Sequence, residues 1–281
     1  MNTLIQQLIA ALLYPGMLTT LLLTLAVIGI TKLHAPGGGL SRGLLAALQG
    51  KTSLSLALAA LLGLIAPAFL PWAGSPLATS RLGQLWLAWA LLETSFILAL
   101  MPGLQSLAAS SVRAAMREAQ LSSAGRIVLW LALGVALWTG DNWQWNIVPA
   151  RVLALIAAAM ALPVALGWGP FAHDWSLTPG GPEAELNRAS AELAQWGRAI
   201  RATVLLTLIP LLGFPITAGL HWSLHIALTV ATTLALAGVG RYINGSTVRQ
   251  PLNESLRWCY TRALPVALLS GIVLVVMQRW M

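Results

Sequence analysis

Eight long apolar runs, at about 12–31, 53–73, 84–102, 120–139, 151–168, 200–220, 222–240 and 262–280, leave this 281-residue chain few folds to choose from. A hydrocarbon layer about 30 Å thick is crossed by around 20 apolar residues in helical form. Inside that layer every backbone N–H and C=O has to be bonded within the protein, and helices meet this demand segment by segment. The runs therefore predict an all-α integral membrane protein with about eight transmembrane helices. Pro210 and Pro215 fall in the sixth run and predict a kink there, because each removes a backbone donor. With 58% hydrophobic and 9% charged residues, no segment outside the runs is long enough to build a core of its own. A single polytopic domain over 1–281 is the expectation.

The basic residues set the orientation. Thirteen of the sixteen Lys and Arg sit in or beside the first, third, fifth and seventh connectors. The positive-inside rule makes those connectors cytoplasmic, at about 32–52, 103–119, 169–199 and 241–261, and puts both termini outside. Arg81, Arg151 and Arg279 remain on the opposite side, where Trp72, Trp143, Trp145 and Trp222 suit an interfacial belt. The net charge of +8 is thus a topology signal and not a nucleic-acid surface. The first run, Tyr14 to Ile30, has no charged leader ahead of it and reads as a retained span rather than a signal peptide.

Polar chemistry concentrates in the large cytoplasmic loop between the fifth and sixth helices. The stretch Gly167–Arg201 holds Asp174, Glu183, Glu185 and Glu192, half of the eight acids, with His173, Arg188, Arg198 and Arg201. Loops beyond roughly 12–15 residues usually carry a function, and the sequence from Pro182 onward reads as helical. The first cytoplasmic segment, Lys32–Lys51, is a glycine turn followed by a weakly amphipathic helix with Leu44, Leu45 and Leu48 on one face, a pattern that suits the membrane surface. No inverted repeat or pair of broken spans points to a secondary transporter.

Five short motifs, in order along the chain, resemble a known family. After the first run come Gly29-Ile30-Thr31-Lys32, Leu33-His34 and Gly37-Gly38-Gly39-Leu40. Gly103-Leu104-Gln105-Ser106 closes the third run, and Arg117-Glu118-Ala119 opens the fourth. Pro170-Phe171 with Asp174, then Gly181-Pro182 with Glu185, then Trp196-Gly197, mark the large loop. Ser246 and Arg249 follow the seventh run. Together they resemble the multi-span subunit at the junction of the membrane and peripheral arms of respiratory complex I, and more closely its counterpart in energy-converting membrane-bound [NiFe] hydrogenases such as formate hydrogenlyase. The resemblance implies eight spans with both ends outside and cytoplasmic loops that abut redox subunits.

Two departures are visible. Where the family carries several glutamates before Gly-Pro, this chain reads Trp175-Ser176-Leu177-Thr178-Pro179-Gly180. Where its fourth span carries a glutamate, this chain has Arg126. A base in place of an acid reverses the local field, so a path relying on that carboxylate cannot work unchanged.

The remaining residues admit a functional and a bland reading. Glu93 lies well inside the third run, where an ionisable group costs about 2.5–3.5 kcal/mol on insertion and so serves a proton relay or a structural hydrogen bond. Arg117, Glu118 and Arg126 read as snorkelling interfacial charges or as contacts to a redox subunit. Glu183, Glu185, Glu192, Arg188 and Arg198 read as a solvated or docking helix face, with Glu185 and Arg188 spaced as an i, i+3 pair and Glu185 also a residual proton-entry group. Asp174, beside His173, suits a turn or a proton site. His221 and His225, spaced i, i+4, would share one helical face but have no third ligand, and no metal site is expected.

No phosphate loop, HExxH or Ser–His–Asp set is present. The lone Cys259 supplies no ligand set for an iron–sulfur cluster. The expectation is a non-catalytic subunit of a redox-driven, ion-translocating assembly, with no cofactor of its own and a bound lipid at most. Iron–sulfur and nickel–iron centres would belong to peripheral redox partners, and antiporter-like subunits would lie beside it in the cytoplasmic (inner) membrane. Glu93, Glu118, Glu185 and Asp174 are its proton-path candidates. Lys32, His34, Arg117, Arg126, Glu183, Arg188 and Arg249 are its docking candidates. A stand-alone transporter or channel, or a scaffold that has lost coupling, are the rivals.

Overall fold

In a computed structural model of the chain, the residues described are 2–31, 51–75, 81–139, 145, 147–172, 181–183, 185–213 and 221–279. Among them there is no strand. The helices are α1 (Asn2–Leu12), α2 (Met17–Thr31), α3 (Lys51–Ile65), α4 (Arg81–Leu104), α5 (Ala109–Trp138), α6 (Val148–Leu166), α7 (Arg188–Leu208), α8 (Trp222–Ser246), α9 (Leu252–Trp258) and α10 (Leu264–Arg279). Where they are described, the apolar runs are mostly helical. Among the described residues, seven stretches are long and apolar enough to cross a membrane, and Ser53–Phe69 is a shorter apolar helix.

The helices turn large apolar side chains outward, as a lipid solvent allows, and bury small hydroxyls among their apolar contacts. Leu22, Ile97, Ile127, Ile272 and Val275 are exposed, while Thr20, Thr24, Ser95, Thr229, Thr233 and Ser270 are buried. Buried threonines return their hydroxyls to the carbonyl one turn back, as in Thr24 to Thr20 at 2.7 Å and Thr233 to Thr229 at 2.8 Å, so these hydroxyls are not stranded. This is a multi-pass, all-α membrane protein.

The chain divides into two compact units, Met1–Met116 with Asp174–Val204, and Arg117–His173 with Leu205–Met281. In the first, α3 packs along α4, and the Ser95 hydroxyl donates to the Ala59 carbonyl at 2.6 Å. Its apolar core joins Leu56, Ala60 and Leu64 of α3 to Leu193, Ala194 and Ile200 of α7, with Met17 and Leu21 of α2 against them.

The second unit is built on α6 and α10. Ala154, Ala157, Ala158, Ala161 and Ala165 form a buried stripe at helical spacing along α6, small enough to admit neighbours closely. Gly125 of α5 lies directly against the backbone of Ala165 and Val164, where a Cβ would collide. Helix α6 stops because Gly167 turns left-handed (φ 65°), letting the N–H groups of Gly167 and Trp168 cap the Val164 and Pro163 carbonyls.

Several boundaries differ from the sequence expectation. Helix α5 starts at Ala109 and takes in Arg113, Arg117 and Arg126, because its alanine-rich opening is a good helix former. At the large loop the helix starts at Arg188 rather than near Pro182. Asn187 caps it, accepting the Ser190 N–H at 2.8 Å. Pro210 does disturb its helix, which passes into a π-turn over Ile209–Gly213, while Pro215 is outside the described residues. A second π-turn, Cys259–Ala263, precedes Pro265, which lacks the donor that the Thr261 carbonyl would otherwise receive. Trp72 is buried against Tyr14 with ring centroids 6.1 Å apart, and so is no headgroup anchor. Trp145 and Trp222 are exposed.

Candidate functional site

Most of the motifs after the first, which runs outside the described residues, gather into two polar clusters, one in each unit. In the first unit the turn after α4 meets the segment Gly181–Glu183. An added Cβ on Gly103 would stand 2.9 Å from the Ala115 side chain and 3.1 Å from that of Pro182, so only glycine allows this approach. The Ser106 hydroxyl donates to the Glu185 carboxylate across the same junction. Two motifs far apart in sequence are thus in direct contact.

Charge holds the rest of this cluster. Arg198 Nη2 donates to Glu183 Oε1 at 2.9 Å, with side-chain exposures of only 12% and 16%. Partial removal from water strengthens such a charge-assisted bond. Arg188, largely exposed, reaches forward to the buried Glu192 at 3.2 Å. The i, i+3 pair of Glu185 with Arg188 does not form as an intrahelical contact, because Glu185 precedes the Asn187 cap and turns to Ser106 instead. One turn further on, Arg201 is buried with its guanidinium 5.2 Å from the centre of the Phe96 ring. Glu93 is half-buried on α4, three residues before Phe96.

The second unit's cluster is built with backbone groups. Arg117 Nη2 donates to the Gln250 carbonyl at 2.8 Å, with the like charge of Arg249 close by. The Gln250 N–H donates to the Pro170 carbonyl at 2.8 Å, and the Gly169 N–H to Asn244 Oδ1 at 2.9 Å. Phe171 lies 6.2 Å from Trp258, and Trp168 covers Gly240, leaving no room for a Cβ. Pro170-Phe171, Arg117 and the Ser246–Arg249 connector, three more of the motifs, are therefore one contact network.

Glu118 and Arg126 lie on α5 in this unit, and both are buried rather than snorkelling. Arg126 is 3% exposed and has Ser123 Oγ at 3.5 Å from its Nη2. Lys32, His34, Asp174 and His173 are outside the described residues. His221 is not on a shared helical face with His225. It caps α8 and accepts the Ser223 N–H, while His225 is buried one turn later. Among the described residues no group of three or more His, Cys, Asp or Glu is placed to hold a metal ion.

Sequence reasoning gave no role to Gln250, read Arg151 as an outer-side charge, and named Ser106 and Arg201 only as a motif position and a loop charge. Arg151, counted as an outer-side charge, is 2% exposed inside α6, with Nη2 3.4 Å from the Ala136 carbonyl. The available signal was the apolar sequence around Arg151, Ile147-Val148-Pro149-Ala150 before it and Val152-Leu153-Ala154-Leu155 after it.

No family model matches the sequence, and no curated protein does. The fold has a full-length counterpart in a chain of the membrane-bound sulfane sulfur reductase (MBS), an archaeal respiratory membrane complex. It covers 98% of this chain and 100% of that one, with a TM-score of 0.69 at 15% sequence identity. Such low identity accords with a divergent sequence whose resemblance rests on short motifs. This protein is a multi-pass, all-α membrane protein with a fold that also occurs in a respiratory membrane complex.

Proposed function

We propose that the chain is a non-catalytic membrane subunit of a complex I-like or hydrogenase-like assembly in the cytoplasmic membrane. It anchors the peripheral redox subunits and couples them to ion-translocating, antiporter-like neighbours. The observation that carries this reading is the match of fold, over 98% of this chain and 100% of that one, to a chain of a respiratory membrane complex. The clusters around Glu183–Arg198 and Arg117–Gln250 support it, because both are assembled from the motifs that resemble the junction subunit.

In this role the iron–sulfur and nickel–iron centres sit in the partners. Lys32, His34, Arg117, Glu183, Arg188 and Arg249 serve the docking surface, whereas Arg126 is buried inside the protein and is no part of it. Glu93, Glu118, Glu185 and Asp174 are the acids available for proton movement. With no acid between Trp175 and Gly180, and with Arg126 in the fourth span, the carboxylate chain is thinner than in the family. Coupling then rests more on conformational and electrostatic change than on an unbroken acid path.

Deleting the chain in its host and restoring it tests the proposal. The redox subunits should move from the membrane to the soluble fraction on deletion and return on complementation, and redox-driven proton uptake by membrane vesicles should follow them. Redox subunits that stay membrane-bound without this chain would remove the anchoring role. Transport by the isolated chain in liposomes would favour a stand-alone carrier. Cysteines placed at Glu185 and Trp145 add a check of sidedness, with labelling expected from the cytoplasmic side at the first and from outside at the second. The native Cys259 is buried and contributes little background.

A further inference from the structure

The span Leu252–Arg279 changes character at its π-turn. Beyond the turn its outward face is apolar, with Leu268, Ile272 and Val275 each at least half exposed. Before and within the turn it is basic. Arg257 and Arg262 are exposed, and among the described residues neither is paired with an acid. From Arg241 to Arg262 the chain holds four arginines and a single acid, Glu254.

The turn also decides how these charges face. In an α-helix, residues five apart stand about 140° apart round the axis. The π-turn is wider, closed by the Leu264 N–H on the Cys259 carbonyl, and it brings Arg257 and Arg262 toward one side. Arg262 lies over the Trp258 ring, 4.7 Å from its centre, and Trp258 in turn lies against Phe171. A guanidinium held by its face keeps its N–H edge for another partner, and that edge matches two oxygens of a phosphodiester.

Depth identifies the partner. Leu268 follows Arg262 by six residues, about 9 Å along the helix. A head-group layer extends roughly 5–8 Å beyond the hydrocarbon, so the guanidiniums stand at the level of lipid phosphates. Helix α8 ends in the same way, its exposed Leu224, Leu228 and Val239 giving way to exposed Arg241 and to Tyr242 at 75% exposure. Helices α8 and α9 both pack against Gly169–Phe171, and Tyr242 and Tyr260 suit the same interfacial depth.

We propose that Arg257 and Arg262 hold the phosphodiester of an anionic membrane glycerophospholipid, of the phosphatidylglycerol kind, at the connector end of α10. Its phosphate bridges the two guanidiniums, and its acyl chains lie along Leu268, Ile272 and Val275. A zwitterionic lipid would bring an ammonium into a field already in positive excess. An acidic protein would answer the charge but not the apolar face that continues from it. The inference rests on the membrane-spanning reading alone and stands apart from the redox assembly.

The test uses the full chain in phosphatidylcholine vesicles. They are doped with equal traces of phosphatidylglycerol or phosphatidylethanolamine, each bearing a photoactivatable diazirine on the acyl chain close to the glycerol. Crosslinked peptides covering 252–268 are then quantified. At about fivefold for each guanidinium, the anionic probe should label them about 25-fold more than the zwitterionic one. Arg257→Gln with Arg262→Gln should bring the ratio close to one, whereas Arg279→Gln, at the far end of the same helix, should leave it unchanged. Equal labelling by the two probes in the wild-type chain would overturn the proposal whether or not the variants fold, and would leave the arginines to an acidic protein surface. Displacement of the anionic probe by an equal amount of soluble glycerol phosphate, or an undiminished ratio in the folded double variant, would overturn it as well.

Discussion

The two units assemble their motifs by different physics. In the first, carboxylates and guanidiniums meet in partly dry surroundings, as in Glu183 with Arg198, and the contact is specified by charge. In the second, arginine and amide groups bond to main-chain atoms and a tryptophan ring lies on a bare glycine, so the contact is specified by fit. Ion pairs tolerate small displacements because the Coulomb energy falls slowly with distance. Close packing does not, since interiors are as dense as organic crystals and a single added methyl group is felt. A chain that diverges in sequence can trade one ion pair for another, but it must keep its glycines where backbones or rings touch.

Substitutions that attack fit should therefore hurt more than those that attack charge. The largest effect is expected for Gly240→Leu, which drives a branched side chain into Trp168 and should cost about 3 kcal/mol through overpacking. It is read as loss of the thermal transition in mild detergent. Next comes Glu183→Gln, which leaves the half-buried Arg198 with a weaker, uncharged partner at a cost of about 2 kcal/mol. Double-mutant cycles with Arg198→Met should recover most of that as coupling. If Glu183→Gln proves more damaging than Gly240→Leu, the contrast between the units is reversed.

Smaller changes sharpen the picture. Gly238 sits two residues from Gly240 on the same helix but has open space where a Cβ would go. Gly238→Ala should thus stabilise by up to about 1 kcal/mol through helix propensity, opposite in sign to its neighbour. Arg188→Ala should be the mildest. Its partner Glu192 is buried but Arg188 is 83% exposed, and solvent screening holds the pair to about 0.3–0.5 kcal/mol. A thermal-shift series across these variants, at low and high salt, checks both size and sign. Only the Glu183 and Arg188 variants should change their ranking with salt.

Much of the fold was legible in the amino-acid order because its strongest determinant is one-dimensional. Apolar runs of bilayer length specify helices, and the described parts of the runs are mostly helical. What the runs could not reveal is where charge is tolerated inside. Arg126, Arg151 and Arg201 looked like connector charges, since a sliding window registers composition and not direction, yet each faces the protein interior. The pairing of Glu185 was misjudged for a related reason. Spacing alone suggested Arg188, but the Asn187 cap ends helical geometry between them and frees Glu185 for Ser106. Gln250 carried no signal at all, because its role comes from a main-chain carbonyl that any residue type could supply.

The account's central claim is tested most directly by the composition of the particle that carries this chain. Isolated in mild detergent through a tag on this subunit, it should contain peripheral redox polypeptides with bound iron and antiporter-like membrane subunits, in fixed ratio to the tagged chain. A particle made only of this polypeptide, free of iron and active in solute transport, would contradict the claim.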